Sequence, residues 1–379
     1  MYDVIVVGAR CAGAPTAMLL ARKGHRVLMV DRATFPSDTM STHFIQLPGM
    51  IRLSRWGLAE RLYATNCPPV TEGRLSVDGD VAAAEFERPD NIPGLLAPRR
   101  TILDKMLVDA AVEAGAKLAE GVYVDSLTFD ENRVTGIEAH TSQGAFAEKA
   151  RFVIGADGRN SVVARSVEPE FVKYCDAVGA GFYTYFSNLE CTRGEIYLHS
   201  NRFSVAFPTN DGLTLVAAGQ PPEVFPEWKR DIEGNFLAHC DTMGDLGPRV
   251  RAAKREEKFV GAADIPNFIR KSWGPGWALV GDASYHKDPT PADGITDAFR
   301  GADMLSESID AALTGRSSEE DALHEFQKQL EAASLPLYEQ TMKMSSFDVA
   351  PFDRVAGFLE IQALHSIEIA SMPTVEAAA

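Results

Sequence analysis

The stretch that most limits what this chain can fold into is residues 1–32. There an apolar run (YDVIVVG), a glycine turn opening ARCAGAPTAMLLARKG and a second apolar run (HRVLMVDR) follow without a break. The order strand, turn, helix, strand is a βαβ unit. Its first run is nearly all apolar, as a parallel strand covered on both faces must be. Pro15 falls in the first helical turn, where a missing N–H costs nothing, and Gly24 supplies the stop.

Gly8-Ala9-Arg10-Cys11-Ala12-Gly13 occupies the strand-to-helix turn, where the pattern G-x-G-x-x-G places a pyrophosphate on a helix N-terminus. Arg10 stands where the second glycine is expected. Either the turn is wider there, or the guanidinium itself helps hold the diphosphate. Asp31 closes the second strand, 18 residues past Gly13, and is placed to accept from a ribose hydroxyl; Arg32 beside it is a further cofactor-binding candidate.

With 379 residues the chain exceeds one simple core and calls for two domains or one large α/β enzyme. The balance of 37 Lys+Arg against 53 Asp+Glu, net −16, argues against a nucleic-acid groove. No apolar run approaches the roughly 20 residues of a membrane span, and no basic leader precedes the first strand. The five cysteines are odd in number, widely spaced and without a CxxC pair, and the eight histidines show no HExxH or HxH spacing. A reduced, cytoplasmic chain without a metal is the expectation.

Two later strand ends repeat the glycine-and-acid theme. ARFVIGADGRNSVVAR carries Asp157 and Gly158, and WALVGDASYHKDPTPADGITDAF carries Gly281 and Asp282. Each alone is an ordinary turn pair. Together with the first turn, in that order and at these separations, they resemble the FAD-dependent monooxygenases of the aromatic-hydroxylase (p-hydroxybenzoate hydroxylase-like) type, with the related flavin halogenases and geranylgeranyl reductases. The resemblance covers most of the chain.

It implies an α/β fold: a Rossmann-like FAD-binding domain with a parallel sheet, an inserted antiparallel-sheet substrate domain, and C-terminal helices. The expected division is 1–70, 97–165 and 258–345 for FAD, 71–96 and 166–257 for substrate, and 346–379 for a helical segment and frayed tail. It also implies that Gly8, Arg10 and Gly13 hold the diphosphate, that Asp282 after Gly281 binds the ribityl chain, and that Asp157 and Gly158 shape the cofactor and nicotinamide approach. Arg100 in RRTILDKML matches a residue that reaches FAD, and Val124 one whose backbone amide contacts adenine. Against the family stretch GDAAHxxPPxGxxGxN, Tyr285 takes the histidine place, Pro289 the second proline, Gly294 the late glycine and Thr296 the asparagine.

A helix starting near Pro291 would aim its N-terminal amides at the flavin and favour the negative charge of the reduced ring. A single βαβ glycine turn leaves no second dinucleotide domain, so NAD(P)H is expected only as a transient co-substrate. Ser41, Thr42 and His43, after the second strand, are candidates for contact with flavin or substrate, His43 as the catalytic candidate and equally as a structural histidine. His286, Lys287 and Asp288 read as a solvated loop rather than a cleft wall. Tyr183, Tyr185 and Phe207 belong to the sheet expected to wall the substrate.

The reading is an FAD monooxygenase using NAD(P)H and O2 to hydroxylate or epoxidise a small, largely apolar or aromatic metabolite through a flavin hydroperoxide. The alternatives are a reductase or dehydrogenase of the geranylgeranyl-reductase type and a non-catalytic flavin-binding protein. A halogenase is disfavoured because the tryptophans (Trp56, Trp228, Trp273, Trp277) form no WxWxIP run. Oligomeric state is not legible.

Overall fold

A computed structural model describes residues 1–89 and 91–373. The strand Tyr2–Val7 lies at the centre of the first sheet, flanked in parallel by Val27–Asp31 on one side and by the end of Gly144–Gly155 on the other. Lys117–Glu120 and Trp277–Leu279 extend it outward, also in parallel. The strands Val27–Asp31 and Trp277–Leu279 are buried along their whole length, as strands covered on both faces are. Gly144–Gly155 changes partners along its length. Its first half pairs antiparallel with Arg133–Thr141, and only from Ala150 does it join Tyr2–Val7.

The second sheet takes strands from two separate parts of the chain. Ala180–Ser187, Thr214–Gln220, Arg202–Pro208 and Gly194–His199 are neighbours in that order, all antiparallel. Glu72–Val77 then joins Gly194–His199 in parallel, an exception to the antiparallel pattern, and Asp80–Glu85 forms the edge. The two faces differ in what they meet. Tyr183, Tyr185, Phe207, Leu215 and Ala217 join the large core built on the first sheet, whereas Phe182, Phe186, Ala206, Val216 and Ala218 pack on Phe236 and Leu246 from the helices Ile232–Asp241 and Leu246–Ala252. Strand alternation thus sends one row of side chains towards the nucleotide-type sheet and the other outward. The segment 221–240, which reads in sequence as one helix, is broken into Phe225–Trp228 and Ile232–Asp241, the second capped by Asp231, and Leu246–Ala252 follows.

Three long helices finish the fold: Gly294–Thr314, Glu319–Ser345 and Pro351–Ser371. The first begins three residues later than Pro291. Of the expected frayed tail, 374–379 lies outside the described residues. None of the described helices is long and apolar enough to cross a membrane.

A ladder of buried ions ties the last helix to the rest. Lys287 and Arg300 both grip Asp297, and Arg300 also holds Glu368 through two bonds of 2.8 and 2.7 Å. Arg52 reaches Glu368 at 2.7 Å and Asp303 at 3.1 Å. Burial pushes the Glu368 carboxyl up, but Arg300 and Arg52 overcome it and hold it down at about 2. Removing one member of a buried ion pair strands the others, at a cost of roughly 3–5 kcal/mol. Glu368→Gln should therefore lower unfolding stability by about 3 kcal/mol in chemical denaturation and expose the Pro351–Ser371 helix to proteolysis; an unchanged protein would show that the ladder is not what docks this helix.

Candidate functional site

The three glycine-and-acid clusters meet at one place. A Cβ on Gly8, whose φ is +99°, would lie 2.4 Å from the Ala156 carbonyl oxygen and 2.9 Å from the Asp157 Cα. One on Gly13 would lie 1.8 Å from the Gly8 carbonyl oxygen. One on Gly281, at φ +62°, would lie 2.6 Å from the Ala12 Cβ. Only glycine lets these backbones approach so closely.

Around this contact the polar groups divide into engaged and free. Asp31 is buried and accepts from the Ala9 and Ala33 amides, both at 2.8 Å, so one carboxylate locks the turn to the end of its neighbouring strand. Arg32 is exposed. Asp157 accepts from the Val162 amide at 2.6 Å, while its other carboxylate oxygen is buried without a partner, and burial pushes its carboxyl up. Asp282 is exposed and makes no hydrogen bond or ion pair among the described residues. Gly294 and Pro289 are exposed, and a Cβ on Gly158 or Gly294 would meet nothing within 4 Å. The helices Gly13–Arg22 and Gly294–Thr314 start with no side-chain cap; in the first the Ala14 amide already donates to the Arg10 carbonyl at 2.9 Å and Pro15 has no N–H, whereas the Gly294, Ile295 and Thr296 amides have no partner among the described residues.

Arg10 and Arg100 are held by a residue that the sequence reading did not single out. Asp104 is fully buried, and it receives Arg10, Arg100 and the Cys11 thiol, the last two at 3.0 and 3.3 Å. Its i,i+4 spacing from Arg100 in RRTILDKML was the available signal. Arg10 also donates to the Ser37 hydroxyl at 2.9 Å, so its side chain braces the 35–38 loop. Burial pushes the Cys11 thiol up, which keeps it protonated and poorly nucleophilic.

His43, with φ +49°, is buried and shares a 2.9 Å hydrogen bond between its Nε2 and the Tyr185 hydroxyl; its Nδ1 has no partner. Burial, with Arg99 and Arg100 nearby, pushes its pKa down to about 3, so the ring is neutral. The Ser41 amide donates to the Tyr183 hydroxyl at 3.0 Å, and the Arg99 guanidinium lies 4.0 Å over the Tyr185 ring. Ser41 and half-exposed Thr42 therefore line the seam between the two sheets. Thr296 is buried, its hydroxyl accepting from the Gln46 amide at 3.2 Å, so this side chain fastens the 46–49 turn. Val124 sits in the Tyr123–Asp130 strand, packed on the opposite side of the first sheet.

The expectation of a solvated loop at 286–288 is corrected. Lys287 and Asp288 are 8% and 3% exposed, because Lys287 enters the ion ladder beside Asp293 and Asp297 while Asp288 accepts from Thr290 and Ser345. His286 is half-buried, with Nδ1 against the Pro266 carbonyl.

A family model described as an FAD binding domain matches residues 1–220. The chain belongs to this family. It is a member of the FAD-dependent oxidoreductases. The chain is 25% identical over 343 residues to digeranylgeranylglycerophospholipid reductase 1 of Methanococcoides burtonii, spanning 86% of this chain and 79% of that protein. Among solved structures, PqsL, described as a probable FAD-dependent monooxygenase from Pseudomonas aeruginosa, superposes with a TM-score of 0.82 at 20% identity, over 95% of this chain and 99% of that one. A flavin-dependent brominase superposes at 0.84 with 16% identity, over 96% and 92%. These two likenesses establish the fold. The free N-terminus of the Gly294–Thr314 helix, open space over Gly158 and Gly294 and the unpaired Asp282 fit FAD.

Two buried neutral histidines set an acid limit on stability. His43 and His239 are both pushed down to about 3, chiefly by burial, against about 6.5 in an unfolded chain. A depressed pKa means that stability is complete above about 6.5 and is lost as pH falls towards 3. His43→Gln should reduce the slope of unfolding free energy between about pH 4 and 6 by roughly 1.4 kcal/mol per unit, measured by urea denaturation; an unaltered slope would mean that His43 is protonated in the folded chain.

Proposed function

We propose that this chain is an NAD(P)H- and O2-dependent FAD monooxygenase that hydroxylates or epoxidises a small, largely apolar or aromatic metabolite. The observation that carries this reading is the inward face of the second sheet. Tyr183, Tyr185, Phe207, Leu215 and Ala217 form a dry apolar wall against the seam at Ser41, Thr42 and His43. Such a wall suits an uncharged ring and excludes water, which protects a reactive intermediate.

The residue assignments follow from the same arrangement. The amides of the Gly8–Gly13 turn receive the diphosphate, with Arg10 and Arg100 supplying positive charge behind it. Asp31 and Arg32 take the adenosine ribose side, and the Val124 amide the adenine. Gly281 and Asp282 hold the ribityl chain, with Asp157 and Gly158 beside it. Pro289, Gly294 and Thr296 place the uncapped amides of their helix against the flavin ring, where the positive helix end favours reduction. Bound FAD supplies hydride acceptance and oxygen activation. The protein's own part is to orient the substrate, keep water out and place His43 Nδ1 and the Tyr185 hydroxyl where a substrate proton can be exchanged. His43, being neutral, can accept at one ring nitrogen while donating at the other.

A second reading, hydride transfer to a carbon–carbon double bond, is favoured by the reductase among the relatives. Stoichiometry separates them. The purified protein should be yellow, and NAD(P)H and O2 should be consumed one-to-one when a phenol that is a substrate is added. Anaerobic saturation of an isoprenoid substrate would establish the second reading instead, and colourless protein after incubation with FAD would overturn both. Gly294→Ala provides a local check. Its Cβ meets open space, so the fold should keep its stability while FAD affinity drops by about tenfold, some 1.4 kcal/mol; equilibrium dialysis measures this.

A further inference from the structure

Gln46 begins the Leu47–Arg55 helix as its N-cap, yet its side chain makes no capping bond. The carboxamide turns instead to the loop before the Gly294–Thr314 helix, where its Nε2 donates to the Pro291 carbonyl at 2.8 Å. The Gln46 backbone amide donates to the Thr296 hydroxyl at 3.2 Å, and a Cβ on Gly49 would lie 2.8 Å from that same oxygen. The starts of the two helices therefore meet at this residue. Gln46 is only 7% exposed, and its carboxamide oxygen accepts from no group among the described residues. Protein atoms do not seal that oxygen either, so a donor from outside can reach it.

The unused groups around this contact indicate what the donor belongs to. The Leu47 amide on one helix and the Gly294, Ile295 and Thr296 amides on the other have no partner among the described residues. Free donors thus come from two elements, and one free acceptor stands where the two meet. Their complement is a flat ring edge with two carbonyls and an N–H between them. The pyrimidine half of a flavin carries that edge, with carbonyls at C2 and C4 and the N–H at N3. Thr296 stands where the family stretch has its asparagine, but its buried hydroxyl is engaged by the Gln46 amide. A carboxamide is nonetheless present at this junction, supplied by the other helix.

We propose that Gln46 contacts the cofactor: its carboxamide oxygen accepts the flavin N3–H, while its NH2 group, by holding the Pro291 carbonyl, sets how the start of the Gly294–Thr314 helix meets the ring. This rests on the reading above that the flavin ring lies against that helix start. Because the NH2 group is tied to Pro291, the carboxamide cannot turn over and present a donor in place of its acceptor. The site is therefore selective for a ring that keeps its N3–H. A substituent at N3 removes the bond and leaves the Gln46 oxygen facing an apolar group.

Equilibrium dialysis with FAD and with its N3-methyl analogue tests it. The unaltered protein should bind FAD about tenfold or more tightly than N3-methyl-FAD. Gln46→Ala should weaken FAD binding and bring the two cofactors to within about twofold of each other. Gln46→Glu, which keeps an oxygen acceptor in place, should retain part of the preference. A side chain that only held the Pro291 loop would, when removed, weaken both cofactors alike and leave their ratio unchanged. Thermal melting shows that the variants are folded, and the comparison on the unaltered protein needs no variant. Equal binding of the two cofactors by the unaltered protein, or a preference that survives Gln46→Ala, overturns the proposal. Gly294→Ala separates its failure from that of the underlying reading. If that change weakens FAD binding while the N3 preference ignores Gln46, this proposal alone is lost; if FAD binding is indifferent to both changes, the placement of the ring at this helix start is lost with it.

Discussion

The arrangement rests on backbone touching backbone. The Gly8–Gly13 turn closes to 1.8 Å of where a Cβ would stand, and the same turn abuts Ala156 and, through Ala12, the Gly281 turn. Three strand ends from distant parts of the chain are thereby brought within one contact. Side chains could not be inserted there without pushing the strands apart, and the helix N-termini would then point elsewhere. Asp31 reinforces this by taking one amide from the turn, Ala9, and one from the end of its own strand, Ala33, which rigidifies the place where a charged ligand must be met without reorganisation.

The buried ion ladder addresses a different difficulty. The Pro351–Ser371 helix follows everything else in the described chain and has few buried apolar side chains of its own, mainly Ile361, with Gly357, Arg354 and His365 making up its inner face. Hydrophobic burial is therefore a weak source of position for it. Alternating charges from Lys287 to Asp303 set its rotation and height instead, because a buried carboxylate shifted by one turn would lose both guanidinium partners. Net stability from such a network is small once desolvation is counted, so its effect is on uniqueness of docking.

Much of the first sheet was legible because local chemistry decides it. A continuous apolar run, a glycine turn and a terminal acid at Asp31 admit few alternatives to a buried parallel strand with its crossover helix. The inward aromatic row was legible only in part, since strand alternation identifies Tyr183 and Tyr185 as one face without saying which sheet that face meets. Lys287 and Asp288 were misread for a physical reason. Charge in a loop beside prolines normally stays in water, and only partners distant in sequence, Asp297 for the lysine and Ser345 for the aspartate, make burial tolerable. Asp104 escaped notice similarly, because on a helix its carboxylate looks like half of an ordinary i,i+4 surface pair until Arg10 and Cys11 arrive from the turn.

The formal charge of −16 also says little about the site itself. Of the acids at the junction, Asp31 and Asp104 are committed to particular amides or guanidiniums, whereas Asp282 is unpaired and Asp157 keeps one free oxygen. The attraction for an anion there comes from the uncapped end of the Gly294–Thr314 helix and from Arg10 and Arg100, two guanidiniums on the one Asp104 carboxylate, inside a molecule that is negative as a whole. Surface acids are screened within about 8 Å at physiological ionic strength, while buried groups act through a low dielectric and are felt at full strength. An anionic cofactor or substrate approaching this protein meets weak repulsion outside and strong, directed attraction within, and the attraction is the part that fixes where it comes to rest.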